Sequence, residues 1–115
     1  MHELGIASSV LEAVQAEVDR HPGAVPVKVA VRVGELAGVD PGALAFSFEV
    51  LTNGTPWQTL RLEIETKPRE HLCGACGATF RVVEYNFACP ACGSLRSNSV
   101  SGDELELLYL ELEEP

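Results

Sequence analysis

All four cysteines of the chain fall in two C-x-x-C pairs, Cys73 with Cys76 and Cys89 with Cys92, and twelve residues separate the pairs. Thiolates at this spacing are metal ligands, and two such pairs match the four-thiolate zinc pattern. Each pair sits in a short knuckle, Cys73-Gly74-Ala75-Cys76-Gly77 and Cys89-Pro90-Ala91-Cys92-Gly93. A Gly after each second Cys suits a turn with positive φ, which other residues resist. Pro90 fixes φ where no amide donor is needed. Disulfides are the other reading of four cysteines. The paired spacing and the absence of a secretory pattern favour metal.

The second chemical feature is His2, directly after the terminal residue. An α-amine, an imidazole and the backbone amides between them offer several nitrogens within one short loop. Ni²⁺ and Cu²⁺ accept square-planar nitrogen sets, whereas zinc suits the tetrahedral thiolate cage. His2 as a merely solvated terminal residue is the plainer reading. Against it, the apolar stripe of a helix begins at Leu4 and would tie the terminus down.

The elements that must position these groups are readable from periodicity. Leu4, Ala7, Leu11, Val14 and Val18 recur at helical spacing and predict a helix from Glu3 to Arg20, stopped by Pro22-Gly23. Val27, Val29, Val31 and Val33 alternate with other residues and predict a strand. Asp40-Pro41 opens a second helix with a capping acceptor and Pro at its first position, and Asn53-Gly54 ends it. Leu60, Leu62 and Ile64 alternate in a second strand, and Phe80 to Tyr85 reads as a short hairpin strand. Glu104 to Glu113 is a last strand, apolar on both faces and so expected to be covered on both sides or central in its sheet.

The expected fold is α+β: a small three-stranded sheet with two helices, carrying an inserted four-cysteine zinc ribbon. The expected division is 1–68 plus 101–115 for the α/β part and 69–100 for the ribbon. A module of about thirty residues is below the ~40 at which a chain folds without metal or disulfides, so zinc is expected to supply folding energy.

The chain has 115 residues and a net charge of −9. A four-thiolate zinc site takes the balance to about −11. Nucleic-acid binding needs clustered Lys and Arg. Here eight are scattered and none follows Arg96, so no nucleic-acid partner is expected. No basic leader and no apolar run near the ~20 residues of a membrane span occur, so the expected location is cytoplasmic. No acid–base pair, phosphate loop or activated nucleophile is recognisable, and no enzyme is expected.

Met1-His2-Glu3-Leu4, Val33-Gly34-Glu35-Leu36-Ala37-Gly38-Val39-Asp40-Pro41, the paired knuckles and Ser101-Gly102-Asp103-Glu104-Leu105 occur in this order. Together they resemble the HypA/HybF family of nickel metallochaperones, over essentially the whole chain. The resemblance implies delivery of nickel for [NiFe] hydrogenase maturation, and for urease in some organisms. It implies His2 as principal nickel ligand, with the Met1 amine and the backbone around His2 and Glu3 completing the site. Glu3 and Asp40 would be acidic residues near that nickel, as support or added ligand. Helix capping is the competing role for Asp40, and a first-turn acid for Glu3. Implied partners are the nickel-insertion GTPase HypB and the hydrogenase large subunit, and the working form is a monomer or a homodimer.

The chain departs from family members that carry His directly after a C-x-x-C, because Gly77 and Gly93 stand there. That weighs against a pH-driven change of zinc ligands. His71 is the nearest histidine and reads as a polar residue at the module edge. A zinc-ribbon interaction module and a rubredoxin-like iron site are the alternatives. Weak basic charge argues against nucleic acid as a partner for the first, and a visible spectrum tests the second.

Overall fold

The structure is a computed structural model and describes residues 3–115. Helix α1 covers Glu3–Arg20, and its stripe buries Ala7 and Val14 completely. Gly23, at φ 84, turns the chain into strand β1, Val25–Gly34. Helix α2, Pro41–Thr52, starts where the sequence predicts, with Asp40 accepting hydrogen bonds from the Gly42 and Ala43 amides at 2.9 and 3.3 Å. Strand β2 is Arg61–Lys67 and strand β6 is Leu105–Glu113. Between them lie the short strands β3, Glu70–Cys73, β4, Thr79–Arg81, and β5, Ser97–Ser101.

The first sheet has the order β2-β1-β6. Strands β1 and β2 are parallel, joined by α2 as the crossover that parallel pairing demands. Val29, Val31 and Val33 project to the helices and form the core with Ala7, Val14, Leu44, Phe48 and Leu60. The opposite face carries an ion-pair ladder. Lys28 pairs with Glu63, and Arg32 reaches Glu106 at 3.0 Å and Glu65 at 3.3 Å. The Glu63 carboxylate raises the Lys28 pKa, with a smaller push from Tyr109, and Lys28 in turn lowers that of Glu63.

Strand β6 corrects the expectation that it is central or doubly covered. It is an edge strand, and Leu105, Leu107 and Tyr109 are 42, 42 and 41 % exposed. The cause is a bulge. Ala30 pairs with Tyr109 and Val31 with Leu107, so Leu108 is an extra residue and the side-chain alternation slips there. Apolar residues on both faces of the pattern reflect that slip and not double burial.

The second sheet has the order β4-β3-β5, antiparallel throughout. The hairpin strand expected from Phe80 to Tyr85 is reduced to β4. Val83–Asn86 instead forms a tight turn closed by the Asn86 amide on the Val83 carbonyl at 3.0 Å. Its central residues, Glu84 and Tyr85, lie at φ 51 and 63. Strand β5 has no sequence expectation behind it, because Ser-Asn-Ser-Val-Ser shows no apolar alternation.

The end of β1 is tied to the segments that lead into and out of the ribbon. The Gly34 amide donates to the Glu104 carbonyl at 2.7 Å, and the Glu35 amide to that of Lys67 at 2.9 Å. A Cβ on Gly34 would stand 2.2 Å from the Gly102 carbonyl oxygen, so only glycine lets these strands meet.

Candidate metal centre

The knuckles are near copies of one another. The Gly77 amide donates to the Cys73 carbonyl at 3.1 Å and the Gly93 amide to the Cys89 carbonyl at 2.7 Å. Both glycines take φ 77, the conformation expected from their side-chain-free backbone. The knuckles face each other, and the Cys73, Cys76, Cys89 and Cys92 Sγ atoms all lie within 4.8 Å of one another. The Cys73–Cys92 and Cys76–Cys89 separations are 3.6 Å. A tetrahedral zinc with Zn–S near 2.3 Å sets sulfur–sulfur edges at about 3.8 Å, so the donor set and its dimensions fit zinc. All four cysteines are free of disulfides.

The electrostatics of the cage alternate. The Cys76 and Ala75 amides point at the Cys73 sulfur, at 3.5 and 3.4 Å, and lower its pKa to about 6. The Cys92 amide lowers that of Cys89 in the same way. At Cys76 a hydrogen bond from Ala78 pulls down, but the thiols of Cys89 and Cys73 and burial outweigh it and push the pKa up to about 12. At Cys92 a hydrogen bond from Ser94 pulls down, and the Cys73 sulfur with burial raises the value overall. Four thiolates this close repel one another, and a dication is what makes all four tenable together.

His71 is a correction. It is buried in the ribbon core and not at its edge, packed between Phe80 and Phe87 with ring centroids at 6.2 and 5.4 Å. Its Nδ1 meets Ser97 Oγ at 2.8 Å. The Arg69 guanidinium stacks on the other aromatic neighbour, 4.7 Å from the Phe87 centroid. These supports of the cage escaped sequence reading. The period-two offset of His71 from Cys73 along one strand is the only hint of them.

Of the expected nickel residues, Met1 and His2 lie outside the described residues. Glu3 is the first residue of α1, and Asp40 caps α2. Topology brings these two to one end of the layer. Helix α1 runs back along β1, and α2 leaves from the end of β1, so both helices begin at the carboxyl ends of the parallel strands. Gly5 and Ile6 accordingly share a groove with Leu44, and Leu11 and Gln15 share another with Leu51 and Thr52. The carboxyl end of parallel strands is where open α/β sheets most often hold ligands. The ribbon leaves from the same end.

A family profile described as "Hydrogenase/urease nickel incorporation, metallochaperone, hypA" matches residues 1–112. Hydrogenase maturation factor HypA of Acidithiobacillus ferrooxidans is 40% identical over 114 residues, covering 98% of this chain and all of that one. The protein of the same name from Geobacter metallireducens is 39% identical over 113 residues, with 98% and 100% coverage. Among solved structures, the Ni metallochaperone HypA from Helicobacter pylori aligns over the full length of both chains with a TM-score of 0.64. A second HypA solution structure aligns with a TM-score of 0.71, over all of this chain and 98% of that one. Both are 23% identical and establish a shared fold.

Proposed function

The chain belongs to the HypA family of nickel-incorporation metallochaperones for hydrogenase and urease, non-enzymatic carriers, and from that premise we propose a division of labour between two metal sites. Zinc is the resident metal of Cys73, Cys76, Cys89 and Cys92, and holds the ribbon (69–100) together. Nickel is cargo. It binds in the α/β part (1–68 plus 101–115) through His2, the Met1 amine and the backbone amide of Glu3.

What supports this reading is family membership over residues 1–112, together with a helix that already includes Glu3. The first N–H groups of a helix have no intrahelical acceptor. Recruiting the Glu3 amide to nickel therefore breaks no helical hydrogen bond. Asp40 is engaged through one carboxylate oxygen as a cap, which makes it a support that orients α2. In this reading Glu3, at the same end of the layer, is a second acidic support.

A carrier must also give its metal up. A site at the chain end, with few side-chain ligands, exchanges more readily than a closed thiolate cage. Imidazoles and α-amines titrate near about 6.5 and 7.7 when unperturbed, and both must lose a proton to bind metal. Nickel affinity therefore falls from mildly alkaline to mildly acidic pH. The chain's net charge of −9 steers it to basic surfaces. The recipients in this reading are the GTPase HypB and the [NiFe] hydrogenase large subunit. The working protein is cytoplasmic, a monomer or homodimer, and binds no nucleic acid. Among the described residues no helix is long and apolar enough to cross a membrane.

The test is nickel titration of the native chain, of His2→Ala, and of a version extended before Met1, with zinc content measured in each. Both altered proteins lose tight nickel binding and keep their zinc. Unchanged nickel affinity in both would remove the terminus from the site.

A further inference from the structure

We propose that the outer edge of β6, with the apolar groove between β6 and α1, docks an extended segment of a partner protein in which apolar residues alternate with Lys or Arg. Three features carry this. Among the described residues nothing pairs with the outer edge of β6, which presents nine residues from Leu105 to Glu113. Exposed edges are ordinarily short or blunted by Lys, Pro, other charges or a bulge; β6 lacks Lys and Pro, and its bulge at Leu108 lies beyond the Leu105–Leu107 stretch that borders the groove.

Beside that edge lies an apolar groove of about 470 Å³, walled by Ile6 and Val10 of α1 and by Leu105 and Leu107 of β6. Gly5 and Ser9 line it from α1, and their small side chains leave room over the place a fourth strand would take. Successive side chains of an added strand point to opposite faces of the sheet. One set enters this groove and calls for apolar residues.

The other set emerges on the polar face, and its chemistry is fixed by charge. Register places Glu106 opposite Arg32 and Glu111 opposite Lys28, so both carboxylates stand on that face. From Ser97 onward the chain holds Asp103, Glu104, Glu106, Glu111, Glu113 and Glu114 and no basic residue. Among the described residues Glu111 and Glu113 have no basic partner, since Lys28 is engaged by Glu63. Basic side chains on the incoming strand complete this ladder. A second copy of this chain is the poorer occupant, because edge-to-edge pairing would bring two acid-only strands together. The mode is strand addition, with backbone hydrogen bonds giving affinity and alternate side chains giving specificity.

The probe is a nine-residue peptide alternating Val and Lys, titrated into the full chain without added nickel, so that the outcome is independent of the nickel reading. Amide exchange is expected to slow along β6, with chemical-shift changes in Leu105 to Leu107 and Gly5 to Val10. The same peptide N-methylated at alternate residues keeps its charge and apolar side chains but loses donors, and binds about tenfold more weakly or worse. A Val–Glu peptide does not bind. Equal affinity of the methylated peptide would reduce the contact to charge attraction and overturn the proposal. So would protection elsewhere in the fold, failure of the Val–Lys peptide to bind, or a concentration-dependent dimer protecting β6 in its place.

Discussion

Among the described residues the apolar core of the α/β layer has eight side chains, whereas that of the ribbon is Phe80 and Val82 with two of its four cysteines, Cys73 and Cys89, and the buried His71 beside them. In the proposed reading the same chain folds one part by excluding water and the other by collecting sulfur around a metal. Cooperative burial of Leu44, Phe48 and the valines of β1 needs no ion. A module of this size with so small an apolar core is expected to need a cation, and four thiolates this close repel one another without one. The contrast extends to the two metals in the proposed function. A metal that is part of a core cannot be cargo, and a metal held at a chain end can be.

The largest effect that would break this contrast is expected from Cys73→Ser. Zinc retention is lost, and amide protection collapses across β3, β4 and β5 while persisting in α1 and β1. Hydrogen exchange with metal analysis reads both. Loss of protection throughout would mean that the two parts are one cooperative unit.

Leu44→Ala is the converse. Leu44 is fully buried. Truncation costs the α/β layer about 2–5 kcal/mol, seen as a lowered urea midpoint, with the ribbon's zinc untouched. Zinc loss in this variant would contradict the independence of the two cores.

Asp40 sharpens the comparison at a single residue. Asp40→Ala removes the cap of α2 at a cost of about 1 kcal/mol, and Asp40→Asn retains the cap. If Asp40 only supports α2, Asn preserves nickel affinity. A marked fall in affinity for Asn would make the carboxylate a ligand.

The smallest signal is in protons. Cys73 titrates near 6 and Cys89 is also lowered, whereas Cys76 is held near 12 and Cys92 is raised. Binding requires thiolates, so zinc loading at neutral pH displaces a proton from Cys76 and little from Cys73. An apo ribbon that already holds the cage releases fewer protons per zinc than the nearly four of an unfolded segment of ordinary thiols, because Cys73 is already largely ionised. Apparent zinc affinity rises with pH accordingly. Calorimetry in buffers of different ionisation enthalpy counts the protons.

Much of the architecture was legible because it is local. The 3–4 spacing of α1, the Asp40-Pro41 start of α2 and the alternating valines of β1 each depend on neighbours in sequence. So does the ligand spacing of the knuckles, where Gly77 and Gly93 adopt the positive φ that their position suggests. What failed was non-local. Strand β5 exists only because β3 pairs with its polar residues. His71 is buried by Phe80 and Phe87 from other segments. The two apolar faces of β6 came from a bulge whose evidence lies in the pairing with β1. The nickel end is different again: its assignment rests on residues 1–3 and family membership, and α1 and the Asp40 cap supply only its surroundings.

The pairing of Glu70 with Ser101 has a further consequence, for the order in which the chain assembles. Strand β6 must find β1 across everything that follows β2. With the ribbon unfolded, about forty residues have to be closed into a loop before Leu105 can meet Val33. With the ribbon folded, Glu70 and Ser101 are already side by side, and the loop behaves as a connection of a few residues. Loop entropy grows by about 0.6 kcal/mol per doubling, so the ribbon saves the sheet about 2 kcal/mol. The folded ribbon is in this sense a clasp that hands the last strand to the sheet. Chelation should therefore slow the docking of β6 most, leaving the parallel β1–β2 pair to form at its own pace.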